Sequence, residues 1–263
     1  MTKLLILDKD GTLVCPKSGK EFVQHPEDQE LIPGVSEAIA RYAANGWKMA
    51  IASNQGGVAT QKCKPLDFPV GAYCITDTDP PIKIVGKKTT SGGVLLRTAQ
   101  PKSNGQDNFY FCPSSSVRFQ YKTLDDAIAE MRYTMKLTSS IETAYFCPDM
   151  EGKQCISVKS SDAGIESFRV RQASNRQILS SYWRKDIYSD LDLNPVRSTD
   201  LYRKPGCGML KMAAAKLSLL GWSGFRPEAQ ILMVGDRSED QQAAANAGVD
   251  FMWASNWIYS TAD

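Results

Sequence analysis

The sequence predicts an α/β fold, a Rossmann-like three-layer α/β/α core with a parallel sheet, plus an irregular or β-rich insertion. Three observations predict it. Apolar runs at residues 3–7, 47–52, 143–146 and 231–234 are too short for helices and suit strands buried on both faces of a parallel sheet. Segments with helical spacing stand among these runs, and the strand, helix, strand order calls for right-handed βαβ crossovers. Finally, three of the runs end in chemically capable groups: Asp8 and Asp10, Ser53, and Asp236. The carboxyl ends of parallel strands are where open α/β sheets place their ligand crevice.

Each element follows from its own residues. The first strand runs into Asp8-Lys9-Asp10-Gly11-Thr12. Asp8 and Asp10 are two apart in near-extended chain, so their carboxylates leave the same side of the backbone. Two like charges that close repel, and a metal ion or a cationic ligand relieves them. Residues 15–29 contain Pro16, Gly19 and Pro26 without helical period and form a connection. A helix is expected over 35–45, with Val35, Ile39, Tyr42 and Ala43 on one face and Gly46 ending it. The second strand leads to Ser53-Asn54-Gln55-Gly56-Gly57. At Thr123, a candidate N-cap with Asp126 three residues on, regular structure resumes as a helix carrying Leu124, Ile128, Met131 and Met135. A third strand is expected at 143–146. After Arg203-Lys204-Pro205-Gly206 a helix carries Met209, Met212, Ala213, Leu217 and Leu220 and closes at Gly221. Strand 231–234 precedes Gly235-Asp236-Arg237-Ser238-Glu239-Asp240, residues 241–247 are helical up to Gly248, and 251–254 complete the sheet.

Two stretches depart from this regularity. Residues 59–121 contain six prolines, the Gly92-Gly93 pair and short β-prone runs, which marks a basic, β-rich insertion or cap-like segment. The core is then 1–58 with 122–263, and within it 148–200 reads as irregular. Over 58–122 nine Lys/Arg face four Asp, a net of +5, so the remainder of a chain of net charge +2 is at −3. A basic segment beside an acidic core points to an anionic partner. In the second irregular stretch, Phe168-Arg169-Val170-Arg171 and Tyr182-Trp183-Arg184-Lys185 interleave aromatic with cationic side chains, a pattern that stacks bases and holds phosphates as readily as it coats a surface.

Composition narrows the function classes. Hydrophobic content of 42% and charged content of 23% are ordinary for a soluble globular protein. No apolar run approaches a membrane span and residues 1–3 enter the first strand without a signal pattern, so the expectation is a cytoplasmic protein with no membrane partner. Seven scattered Cys argue against a closed disulfide framework, and a single His, His25, excludes a His-rich metal site.

Asp8 and Asp10, Ser53, Lys204, and Asp236 with Asp240 form an ordered set that resembles the haloacid dehalogenase (HAD) superfamily of phosphohydrolases. Its Asp-x-Asp-Gly-Thr signature is matched residue for residue by Asp8 to Thr12, and its Gly-Asp-x-x-x-Asp motif by Gly235 to Asp240. The resemblance implies a Mg²⁺-dependent phosphomonoester hydrolase working through an aspartyl-phosphate. By that resemblance Asp8 is the nucleophile and Asp10 the general acid and base. Mg²⁺ is held by Asp8, Asp236 and the backbone carbonyl of Asp10, while Ser53, Asn54, Arg203 and Lys204 bind the phosphoryl group, Ser53 and Lys204 as catalytic residues. Asp240 is expected as a supporting partner.

Within the superfamily, Ser53 to Ala59 and Met233 to Ala245 are similar to the histidinol-phosphatase and heptose-bisphosphate-phosphatase group. The Ser18-Gly19-Lys20 stretch and Leu201-Tyr-Arg-Lys-Pro205 are similar to the polynucleotide 3′-phosphatases. The zinc loop of the heptose group is matched only at Cys147, so that loop is expected to be absent. The substrate class implied is a small phosphorylated metabolite such as a sugar phosphate. A nucleic-acid 3′ end, reached through the basic inserts, is the alternative, and a non-catalytic binding module on the same scaffold is the alternative from another class. Oligomeric state is not encoded in any of these features.

Overall fold

The computed structural model describes residues 2–76, 80–112, 116–159, 165–173, 176–181, 201–221, 224–225 and 229–262. Two compact units divide the chain, one of Met1–Gln55 with Ile128–Asp263 and one of Gly56–Ala127. In chain order the first elements are β1 (Lys3–Leu7), β2 (Val14–Cys15), β3 (Glu30–Leu31), α1 (Val35–Ala44) and β4 (Trp47–Asn54). There follow β5 (Gln61–Cys63), β6 (Tyr73–Ile75), β7 (Ile82–Thr90), β8 (Gly93–Thr98), β9 (Phe109–Cys112), β10 (Val117–Gln120) and α2 (Leu124–Leu137). Next come β11 (Thr143–Cys147), β12 (Gln154–Lys159), β13 (Ile165–Ala173), β14 (Arg176–Ser181) and α3 (Gly208–Lys216). The chain ends with β15 (Leu220–Gly221), β16 (Gly224–Phe225), β17 (Gln230–Gly235), α4 (Ser238–Ala247), β18 (Asp250–Trp253) and α5 (Ala254–Trp257).

The first unit is built on an eight-stranded sheet of order β14-β13-β12-β11-β4-β1-β17-β18. The five strands from β11 to β18 are mutually parallel. Strand β1 sits at their centre because Leu4, Leu5, Ile6 and Leu7 are all buried, and each such side chain contributes roughly 1.5–3 kcal/mol on leaving water. Leu4 and Ile6 pack with Met209, Leu210 and Ala213 of α3 and Ala243 and Ala244 of α4. By right-handed crossover, α1 covers the opposite face, where Tyr42 meets Trp47 and Trp257 at ring-centroid distances of 5.4 and 6.1 Å. The order of strands reverses at β1, so the ends of β1, β4 and β17 open onto one crevice.

Local signals hold well at the helices. Thr123 and Asp126 form a reciprocal capping box, Thr123 N donating to Asp126 Oδ2 at 2.9 Å and Asp126 N to Thr123 Oγ1 at 3.0 Å. Ile128, Met131 and Met135 of α2 are buried, and α4 ends on Gly248 at φ 70°.

Two expectations need correction, and a third falls on residues not described. The stretch 148–200 is not irregular throughout, since β12, β13 and β14 extend the sheet antiparallel from β11 and make it mixed rather than purely parallel. They are consecutive strands, each paired antiparallel with the one before it, and the edge that β11 offers holds them as strands where no regular apolar alternation marks them. The helix before Gly221 ends at Lys216, because Ser218 adopts φ 57° and Leu220–Gly221 pairs instead with Gly224–Phe225. The Tyr182-Trp183-Arg184-Lys185 cluster, and the side chains of Phe168 to Arg171, lie outside the described residues.

The second unit is a six-stranded antiparallel sheet of order β5-β10-β6-β7-β8-β9. One face buries Phe68, Cys74, Ile84, Val94, Leu96, Cys112, Val117 and Phe119 as a core of its own. Among the described residues, no helix is long and apolar enough to cross a membrane.

Candidate active site

The crevice at the carboxyl ends of β1, β4 and β17 gathers the sequence-predicted carboxylates and lysine. Asp8, one residue beyond β1, is buried, and its backbone N–H donates to Val234 O of β17 at 2.9 Å, which fixes it against the neighbouring strand. Asp236 follows β17 and Asp240 lies in the first turn of α4. One carboxylate oxygen from each of Asp8, Asp236 and Asp240 lies within 4.8 Å of the others. Gly11, at φ 83°, makes this approach possible, because a Cβ there would overlap the Asp236 carboxylate. Gly235 does the same for Asp240.

Lys204 enters this acidic group from the loop before α3. Its buried ammonium donates to Asp8 Oδ1 at 2.5 Å and to Ala52 O at 2.9 Å, and pairs with Asp240 Oδ1 at 2.6 Å. Burial works against a charged lysine, yet the two carboxylates outweigh it and hold the ammonium above its ordinary pKa. Burial likewise pushes the Asp8 carboxyl up, to about 7, with Lys204 pulling against it and Asp240 adding to it. Asp236, half-buried, is raised by the same desolvation, with Arg237 opposing. Three carboxylates against one ammonium leave a surplus of negative charge, the donor chemistry that a hard divalent cation takes.

Asp240 does two jobs. Besides pairing with Lys204, its Oδ2 accepts from Arg237 N at 3.1 Å and caps α4. Asn54 is engaged with the Lys204 main chain: its Nδ2 donates to Lys204 O and its Oδ1 accepts from Lys204 N, both at 3.0 Å. It therefore sets the position of the lysine loop. Arg203 sits beside Gly152, whose missing side chain leaves room for it, and its buried Nη1 has no hydrogen-bond partner among the described residues.

Asp10 and Ser53 are joined by a residue that had not been singled out. Gln55 Nε2 donates to Asp10 Oδ2 and to Ser53 Oγ, each at 2.9 Å. The other Asp10 oxygen accepts from Lys9 Nζ at 2.5 Å, and Lys9, fully buried, also faces Glu130 at 3.9 Å. Lys9 stands between the two aspartates in sequence, yet only the packing of α2 beside it reveals its partner. For Gln55 the signal was present in the sequence, two residues after Ser53 at the end of a buried strand.

Comparison with known proteins agrees with this geometry. A family model described as HAD-hydrolase-like matches residues 201–262, and one described as polynucleotide kinase 3 phosphatase matches residues 3–74. The chain is 40% identical over 57 residues to a D-glycero-beta-D-manno-heptose-1,7-bisphosphate 7-phosphatase of Bordetella bronchiseptica, covering 22% of this chain and 31% of that protein. It is 42% identical over 57 residues to the enzyme of that name from Pseudomonas putida, again 22% and 31% of the two chains. The match thus spans about a third of the length of these relatives. A solved structure, the D,D-heptose 1,7-bisphosphate phosphatase of B. bronchiseptica complexed with magnesium and phosphate, is similar at TM-score 0.43 and 17% identity over 95% of this chain and 79% of that one. Family models thus match at the first strand and again at the last third, the stretches that carry Asp8, Asp10, Ser53, Lys204 and Asp236, and over these stretches the chain is similar to HAD-like phosphohydrolases.

Proposed function

We propose that the protein is a Mg²⁺-dependent phosphomonoester hydrolase acting on a small phosphorylated metabolite such as a sugar phosphate. The observation that carries this reading is the convergence of Asp8, Asp236 and Asp240 around the Lys204 ammonium, beside Asp10 and Ser53. The name of the curated relatives supports the sugar-phosphate class.

In this reading Lys204 holds Asp8 Oδ1 and leaves Oδ2 to face the phosphorus. Asp8 attacks, a bond forms between its oxygen and phosphorus, and the ester P–O bond breaks. Asp10, oriented by Lys9 and Gln55, gives its proton to the leaving oxygen. In the second half Asp10 takes a proton from water, whose oxygen attacks phosphorus and frees Asp8 with release of phosphate. Lys204 and Ser53 bind phosphoryl oxygens, and the lysine offsets the charge that builds on them. Asp8, Asp236 and the Asp10 carbonyl would hold Mg²⁺, which when bound supplies positive charge to the transferring group.

The test is Asp8→Asn, which should abolish Mg²⁺-dependent hydrolysis of an aryl phosphate while leaving the circular dichroism spectrum unchanged. Undiminished turnover would sink the assignment. The match of residues 3–74 to the polynucleotide kinase 3 phosphatase model favours a second reading, removal of a 3′-phosphate from a nucleic-acid end. A preference for a 3′-phosphorylated oligonucleotide over free sugar phosphates would select it.

A further inference from the structure

The six strands of the second unit contain six Lys/Arg and no Asp or Glu. Because side chains alternate along a strand, the pairing register says which of these share a face. Ile84, Val94 and Leu96 point into the core. On the opposite face Gly86 pairs with Arg97, Arg97 with Phe109, Lys88 with Leu95, and Tyr73 with Lys83. Lys62 of β5 shares this face, paired with Arg118 of β10. Lys87 turns the other way, and its ammonium is spent on Leu66 O at 2.5 Å and Phe68 O at 3.2 Å.

The outer face is therefore cationic over most of its width, about 24 Å for six strands, with the Asp126 carboxylate beside Tyr73 and Lys83, and it is also partly apolar. Phe109 is 42% exposed and Val85 40% exposed. The Arg97 guanidinium lies over Gly86, where an added Cβ would stand 3.1 Å from its Nε, and is 3.5 Å from Asp107 in an exposed pair of small energetic worth.

We propose that this face binds single-stranded nucleic acid, with Lys62, Lys83, Lys88 and Arg97 on phosphates and Phe109 stacking a base. Phe109 directly opposite Arg97 provides a ring and a cation one strand apart, the combination by which sheet surfaces hold single strands without reading sequence. An acidic peptide would satisfy the cations but would make no use of a flat exposed ring beside them. The unit of residues 56–127 carries nine Lys/Arg against six Asp, a net of +3 against −1 elsewhere, which directs a polyanion to it. The inference rests on the second unit alone and does not depend on the hydrolase reading.

The experiment is fluorescence anisotropy of a 5′-labelled 20-mer oligothymidylate with the full chain in EDTA, so that hydrolysis plays no part. Binding should weaken with salt with a log–log slope of about −2 to −3, as expected for three or four phosphates on a single strand. The double variant K88E/R97E should lower the slope by about 1.4 units. Phe109→Ala should weaken binding about fivefold or more. The exposed pair K62E/K83E, on the edge strand β5 and at the start of β7, is the second variant should the first melt below assay temperature. Absence of binding at 50 mM salt, a salt slope that the charge reversals leave unchanged, or equal affinity for polyglutamate would each overturn the proposal.

Discussion

Lys204 is the residue whose removal most directly interrogates the site. Its ammonium touches Asp8 Oδ1, Asp240 Oδ1 and Ala52 O at 2.5, 2.6 and 2.9 Å, and all three partners are buried. Lys204→Met retains the stem and removes the charge. Two buried carboxylates are then left facing each other, and breaking a buried pair by deleting one partner costs about 3–5 kcal/mol. For a chain of this size each kcal/mol moves the melting midpoint by roughly 2–4 °C, so the variant should melt about 6–20 °C lower in EDTA. Adding Mg²⁺ should recover a larger part of that loss than it adds to the wild type, because a divalent cation supplies the charge the lysine took away. Turnover of an aryl phosphate should fall by about 10²–10³ even at saturating Mg²⁺, as for other donors aimed at developing charge. Scanning calorimetry with and without Mg²⁺ measures the stability loss and its recovery, and a steady-state assay measures the turnover. A melting midpoint within 2 °C of wild type in EDTA would refute the three-way contact on which the site is built.

Gln55→Leu removes the bonds to Asp10 and Ser53, and since a hydrogen bond to a charged group is worth about 1.5–3 kcal/mol, kcat should drop roughly 10- to 150-fold. Unchanged kcat in steady-state assays would count against its positioning role. Gly11→Ala forces a non-glycine residue into φ 83° and drives a Cβ into the Asp236 carboxylate, so isothermal titration should find weaker Mg²⁺ binding and denaturant melts a loss of at least about 1–2 kcal/mol. Met131→Ala empties a fully buried position in α2 and should cost about 2–5 kcal/mol by urea unfolding. Desolvation tends to raise the Asp28 pKa, yet bonds from Gln24 N, Ser18 Oγ and Ser18 N outweigh it and leave the group below its usual value. Its ionised form thus contributes stability above the unfolded pKa that is lost as pH falls through the folded one. Asp28→Asn should flatten the acid limb of the stability curve, and an unaltered limb would exclude that role.

Much of the core was legible because its signals are local. A run such as Leu4 to Leu7 can be buried only on both faces, Thr123 with Asp126 caps a helix through its own backbone, and Gly248 ends α4 because it tolerates a left-handed turn. The sequence by itself also determined which chemical groups stand at the ends of β1, β4 and β17, since strand order and right-handed crossovers leave them one crevice. What the tertiary structure decided is everything carried by contacts between distant residues. Strands β12 to β14 each pair with the neighbouring strand in sequence, but they are held to the sheet by the edge that β11 offers, which no periodic mark in the chain announces. Asp240 is an ion-pair partner of Lys204, and Asn54 a clamp on the lysine main chain, because α4 and β4 meet a loop 36 and 150 residues away. Lys9 and Gln55 hold the two oxygens of Asp10 only once α2 and the end of β4 are packed. Local pattern determined the elements and their ligand-bearing ends, while the electrostatic state of each group was decided by burial and neighbours that exist only in the folded chain.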